Sequence, residues 1–228
     1  MTDIIDTFFA VDFDRCLGNF EANVNLLNKV ASELTSINGE MIQLAHDEIK
    51  ANGMPFRILK YFEDQAPDLD LDTLQNTYIE RAHATPGILV EPGATELIDF
   101  LRLGDRHFCI MTYGEMKWQT TKITAAGLGD VSRLIVSHEQ KSRHIAEWLD
   151  EKRGLFTIPS ECFLDGKSRI AREVVLIDDK PNAFTGLPDG ARGYLVHNSK
   201  SIYSTYSDDL PPSVKRVSCL IEIIEHES

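Results

Sequence analysis

Short apolar runs rich in β-branched and aromatic residues recur along this chain, and most of the stretches between them carry helical spacing. This alternation constrains the fold more than any other feature, because strands joined through helices pair side by side in a parallel sheet covered on its faces. The runs at 8–12, 107–112, 133–137, 173–178 and 191–197 predict strands, and those at 94–103, 115–126, 142–152 and 213–226 predict helices. Pro92 and Gly93 set a turn before the first of these helices, while Pro211 and Pro212 precede the last. The expected class is α/β, with a doubly wound parallel sheet.

Between about 19 and 85 the alternation breaks. Apolar spacing in "EMIQLAHDEIKA", "FRILKYFEDQ" and "LDTLQNTYIERAHA" supports three helices, and no convincing strand lies among them. An all-helical insertion over 19–85 is therefore expected just after the first strand, leaving 1–18 and 86–228 as the α/β core. A chain of 228 residues accommodates one core domain with a smaller insertion. Residues 154–172 fit neither pattern, and one short strand is expected there near 162–164.

Composition narrows the partners. Apolar residues make up 43% of the chain and charged residues 26%, as in ordinary globular proteins. The 23 basic and 36 acidic side chains leave a net charge of −13, which repels a polyanion in the absence of a basic cluster, so no nucleic acid partner is expected. The first residues place acids where a secretory leader needs bases, and no apolar run approaches the roughly 18 residues of a spanning helix. A cytoplasmic protein with no membrane partner is the expectation. Cys16, Cys109, Cys162 and Cys219 are scattered without metal or redox spacing, so reduced thiols are expected.

The chemistry is concentrated where apolar runs end in acids. Asp12 terminates "FFAV" and is followed at once by Asp14; Asp178 and Asp179 terminate "VVLI". A superficially similar "DLDLD" at 68–72 follows Pro67 and leads into a predicted helix, where acids serve as caps. In an open α/β sheet the ligand crevice lies outside the carboxyl ends of the strands. Two strands ending in aspartates can thus bring four carboxyl groups to one crevice. Such crowding calls for a bound cation, and oxygen-only ligands favour a hard one, Mg²⁺ when phosphate is also present.

The motifs carrying these acids resemble those of the haloacid dehalogenase superfamily. Its first motif matches "FFAVDFDRC", its second "HFCIMTYG", its third the lysine of "VSHEQKSRHI", and its fourth "VVLIDDK". The resemblance implies a Rossmann-like core with an inserted α-helical cap that closes over small substrates. It implies Asp12 as a nucleophile that becomes an aspartyl-phosphate and Asp14 as general acid and base. Mg²⁺ would be held by Asp12, Asp178 and the backbone carbonyl of Asp14, with Asp179 acting directly or through water. Thr112 would bind a phosphate oxygen, with Tyr113 beside it, and Lys141 would offset charge. Lys122 and Lys167 compete with Lys141 for that role.

Two residues depart from the family's usual D-x-D-G-T: Arg15 stands at the glycine and Cys16 at the threonine. Arg15 either contacts substrate or points to solvent. Because a halide leaving group needs no acid, Asp14 favours phosphate esters over dehalogenation. The expected function is a Mg²⁺-dependent phosphatase acting on a small phosphorylated metabolite. A phosphomutase or phosphotransferase, or a noncatalytic binder of phosphorylated ligands, remains as an alternative. A dinucleotide-binding domain would want a glycine-rich turn after the first strand, where "DFDRCLGN" supplies only Gly18.

Overall fold

A computed structural model describes residues 4–52, 56–104, 106–138, 140–197 and 210–228. Two compact units divide the chain. An α/β unit comprises Met1–Leu17, Glu91–Tyr113 and Val131–Ser228; a helical unit comprises Gly18–Val90 and Gly114–Asp130.

The α/β unit is built on β1 (Ile4–Val11), whose last four residues are buried without alternation, the burial expected of a strand covered on both faces. β2 (His107–Tyr113) pairs with it in parallel on one side, placing Phe8 opposite His107, and β3 (Arg133–Val136) extends that side. On the other side β6 (Arg169–Asp178) runs parallel to β1, with Val11 opposite Ile177. β7 (Ala191–Val196) and β8 (Val214–Val217) continue the parallel sheet from β6. Parallel order is thus β3-β2-β1-β6-β7-β8, so the chain leaves β1 in opposite directions and opens a crevice at the carboxyl ends of β1 and β6.

Helix α5 (Ala94–Leu103) buries Ala94, Leu97, Ile98 and Leu101, one stripe at helical spacing. Its N-cap is Gly93 at φ 84°, a conformation that glycine adopts without the Cβ penalty. The doubly wound α/β class expected from sequence is therefore present.

Three local expectations fail. The helix expected over 213–226 is β8 followed by α8 (Leu220–Glu227), because Val214 and Val217 add a strand to β7 and the His197 N–H reaches the Val217 carbonyl at 2.8 Å. The helix expected over 142–152 stops early: α7 spans Lys141–Trp148, and Leu149 turns extended to pair β4 (Leu149–Asp150) with β5 (Leu155–Ile158). β5 then pairs antiparallel with the start of β6, which explains residues that sequence periodicity left unread. The strand expected at 162–164 is a 3₁₀ turn, Ser160–Cys162, following Pro159.

The helical unit contains α1 (Phe20–Leu34), α2 (Gly39–Ala51), α3 (Ile58–Gln65), α4 (Leu71–His83) and α6 (Met116–Ala125). Helix α6, expected with the α/β core, buries Trp118 and Ala125 among Leu27, Phe62, Leu74 and Tyr78 of this unit. Tyr78 donates its hydroxyl to Asn23 Oδ1 at 2.5 Å, satisfying two polar groups in an apolar interior. Asp70, within the "DLDLD" stretch, caps α4 by accepting from the Thr73 N–H at 3.1 Å, as its context in the sequence implied. Among the described residues no helix is long and apolar enough to cross a membrane.

Candidate active site

Asp12 lies one residue beyond β1, yet its N–H still donates to the Ile177 carbonyl at 2.8 Å, continuing the ladder between β1 and β6. Asp178 is the last residue of β6. Neighbouring parallel strands lie about 4.8 Å apart, so ending both in aspartate at matched register brings the two carboxylates close. Lys141, the first residue of α7, places its ammonium between them: Nζ donates to Asp178 Oδ2 at 2.6 Å and to Asp12 Oδ1. All three side chains are buried, with at most 7% exposed.

Burial pushes the Asp12 carboxyl up to about 6; Lys141 opposes the shift, and the Asp178 charge adds to it. Burial would strip the proton from Lys141, but the charges of Asp12 and Asp178 more than offset this and hold the amine charged above its ordinary range. Asp179 is raised further, to about 8, by burial first and then by Asp12 and Asp178. Both of its carboxylate oxygens are buried with no hydrogen-bond partner.

That orphaned group supplies a test of whether a cation fits. Asp12, Asp178 and Asp179 can each offer an oxygen within 4.8 Å of the others. A hard cation takes oxygen ligands of this kind, would satisfy the unpartnered oxygens of Asp179, and would remove its reason to hold a proton. The residues fit a metal ion.

Asp12, Asp14, Thr112, Tyr113, Lys141, Asp178 and Lys180 line one small cleft of about 30 Å³. Thr112 is 1% exposed on β2. The structure thus gathers Asp12, Asp14, Thr112, Tyr113, Lys141 and Asp178 around one concavity, with Asp179 in the adjoining acidic cluster. Of the competing lysines, Lys122 is buried in α6 of the helical unit and Lys167 is exposed.

Arg15 occupies the turn after Asp14 with φ 64°, the left-handed region that a non-glycine residue enters at a cost. Cys16 is buried beside the acids, and its thiol is pushed well up, by burial and then by the Asp12 charge. Lys180 is the cleft residue that sequence reading missed. Its only signal was its place directly after the acidic pair in "VVLIDDK", and its N–H holds Asp178 Oδ1 at 2.8 Å.

A larger cavity of about 170 Å³ lies among β7, β8 and α8. Arg192 and Glu227, which line it, are already engaged: Arg192 Nε meets Glu173 at 2.9 Å, Nη2 meets Glu227 at 2.9 Å, and Tyr194 donates to Glu227 at 2.6 Å. Such a satisfied network braces α8 against the sheet. The acidic cleft, with unpartnered oxygens and shifted carboxyls, is the better candidate for chemistry.

No protein-family model matches the chain, and no curated protein matches it. Solved structures do. A haloacid dehalogenase-like hydrolase from Burkholderia xenovorans LB400 superposes with a TM-score of 0.61 at 19% identity, covering 96% of this chain and 95% of that one. A HAD phosphatase from Thermococcus onnurineus gives 0.57 at 16% identity, with 98% of each chain covered. A dehalogenase solved with an intermediate complex gives 0.53 at 13% identity, covering 99% of this chain and 98% of that one. The chain has the haloacid dehalogenase-like fold. Its acid-bearing strand ends occupy the crevice where an open sheet of this type binds ligands.

Proposed function

We propose that this protein is a Mg²⁺-dependent phosphatase that hydrolyses a small phosphorylated metabolite through an aspartyl-phosphate on Asp12. The observation carrying this reading is the buried set Asp12, Lys141, Asp178 and Asp179, with an ammonium between two carboxylates and a third carboxylate unpartnered. Asp12, Asp178 and Asp179 would hold the ion together with the backbone carbonyl of Asp14. When bound, Mg²⁺ supplies positive charge that offsets the oxygens of the transferring phosphoryl group.

The remaining steps belong to the chain's own residues. An Asp12 carboxyl raised to about 6 is largely ionised at neutral pH, so it can attack phosphorus. As the bond to the leaving oxygen breaks, Asp14 gives that oxygen a proton. Asp14, now ionised, takes a proton from water, which attacks the phosphorus, frees Asp12 and releases inorganic phosphate. Thr112 would donate to a phosphate oxygen, and Lys141 would lower the repulsion between the incoming dianion and the two carboxylates it bridges. Asp14 beside Asp12 in the same cleft favours ester hydrolysis over dehalogenation, since an alkoxide leaves poorly without a proton.

The test is phosphate release from p-nitrophenyl phosphate and a panel of sugar, nucleoside and acid phosphates, with and without Mg²⁺. Wild-type turnover that needs Mg²⁺ and is lost by at least about 10³-fold in Asp12→Asn is the expected result. Equal activity in Asp12→Asn would remove the nucleophile from the scheme.

A further inference from the structure

Lys141 opens α7, and both of its chain neighbours direct their side chains to one acceptor. The fully buried Ser142 hydroxyl donates to the Thr185 carbonyl at 2.6 Å, and the Gln140 side-chain amide donates to the same oxygen at 2.8 Å. Gln140 is the N-cap residue of α7, yet its side chain makes no capping bond. A helix start leaves N–H groups that such positions ordinarily satisfy. Here the polar groups are turned toward another element instead.

That element carries the acids. Thr185 closes the 3₁₀ turn Pro181–Phe184, which follows Asp178 and Asp179 after a single residue, Lys180. The turn is tied internally, with the Ala183 N–H on the Lys180 carbonyl at 3.0 Å and the Leu187 N–H on the Phe184 carbonyl at 3.1 Å. Ile145 and Trp148 of α7 share an apolar cluster with Ala183 and Phe184. Packing therefore sets the separation of the two elements, while the paired donors fix the register of the first helical turn. A lysine has a flexible four-carbon stem, so the place of its ammonium depends on where its backbone is held.

We propose that Gln140 and Ser142 are positioning residues for Lys141: their shared grip on the Thr185 carbonyl holds the lysine's helix and the acid-bearing turn as one piece, keeping the ammonium between Asp12 and Asp178. The inference deepens the phosphatase reading and rests on it only for its kinetic arm.

The experiment uses the full chain and the double variant Gln140→Ala/Ser142→Ala. Its first arm needs no turnover: metal-free protein is treated with acetic anhydride, and acylation of individual lysines is followed by peptide mass spectrometry. Lys122, 5% exposed in the helical unit, is the internal control for Lys141, which is 3% exposed. With two hydrogen bonds removed, Lys141 is expected to react about 10-fold faster in the variant while Lys122 is unchanged. An unchanged Lys141 rate, or an equal rise at both lysines as a general loosening would give, overturns the proposal.

The second arm measures kcat and KM on the best ester of the panel. The expected result is kcat lower by about 10-fold with KM within about 3-fold, and partial recovery in Gln140→Lys/Ser142→Ala, which restores an N–H donor. Unchanged kcat in the double variant overturns the proposal. If the double variant does not fold, Gln140→Ala alone is read the same way, because the bond it removes is solvent-exposed. Should wild type release no phosphate while Lys141 labelling rises as expected, the clamp stands and the phosphatase reading falls.

Discussion

Replacing Asp179 with asparagine tests the physical basis of the acidic cluster directly. Burial and the charges of Asp12 and Asp178 push the Asp179 carboxyl to about 8, whereas an unfolded chain holds an aspartate near 3.9. Between those values the unfolded state loses the proton and the folded state keeps it. The folded state therefore binds more protons, and metal-free stability falls as pH rises, by up to about 1.4 kcal/mol per pH unit for one such group. The contribution is intact below about pH 4 and lost above about pH 8.

Four units would give an upper bound of about 5 kcal/mol. Because Asp179 shares its field with Asp12, itself raised to about 6, a net effect of about 2–4 kcal/mol is the working figure. Asparagine keeps the shape and cannot ionise. In EDTA, Asp179→Asn should match wild type near pH 4.5 and exceed it by about 2–4 kcal/mol at pH 8.5. The assay is urea unfolding at a series of pH values, followed by Trp148 fluorescence in a Trp118→Phe background, since Trp148 sits in the α/β core beside Phe8. A difference between the two proteins that does not change with pH would refute the reasoning. Adding Mg²⁺ should stabilise wild type more at pH 8 than at pH 6, and the variant less at both.

Other consequences are measurable in variants that keep both tryptophans. Lys141→Met leaves the buried Asp12 and Asp178 carboxylates without their common cation; a loss of about 3–5 kcal/mol is expected near pH 7, shrinking toward pH 4.5 as Asp12, whose carboxyl burial raises to about 6, takes up a proton, by urea unfolding. Turnover of the best phosphate ester by the same variant should fall by at least about 100-fold. Tyr78→Phe leaves Asn23 Oδ1 without the hydroxyl that meets it at 2.5 Å, which should cost the helical unit about 1–3 kcal/mol. Trp118, whose ring centroid is 5.0 Å from that of Tyr78, reports this loss by fluorescence during denaturation.

What the sequence made legible was whatever depends on local pattern. Asp12 and Asp178 were readable because a strand buried on both faces appears as an unbroken apolar run, and the first polar residue after it stands at the crevice. Asp70 was separable from them for the converse reason, since it precedes a helical pattern and caps it. What depends on distant partners was hidden. β8 and the β4–β5 pair are too short to show a period of two and exist through the strands they join. The sequence of α6, which buries Gln119, Thr121 and Lys122 beside Trp118 and Ile123, does not show which core receives it, and Trp118 joins Tyr78 in the helical unit. Among three lysines, only the fold brings Lys141 to the carboxylates; Lys122 is equally buried in a different unit. Gln140 and Ser142 look like ordinary helix-start residues until Thr185 is placed opposite them.

The rung from the Asp12 amide to the Ile177 carbonyl reaches beyond the site's chemistry. It places the Asp12 backbone within the central ladder rather than in a loop that breathes. Amide protons there are released to solvent only through the largest opening the α/β unit undergoes. In deuterium oxide the Asp12 amide should therefore behave as a clock for global unfolding, retaining its proton as long as those of Ala10 and Val11. A ligand that tightens the whole unit would then be visible as slower exchange at this one position, before any product is looked for.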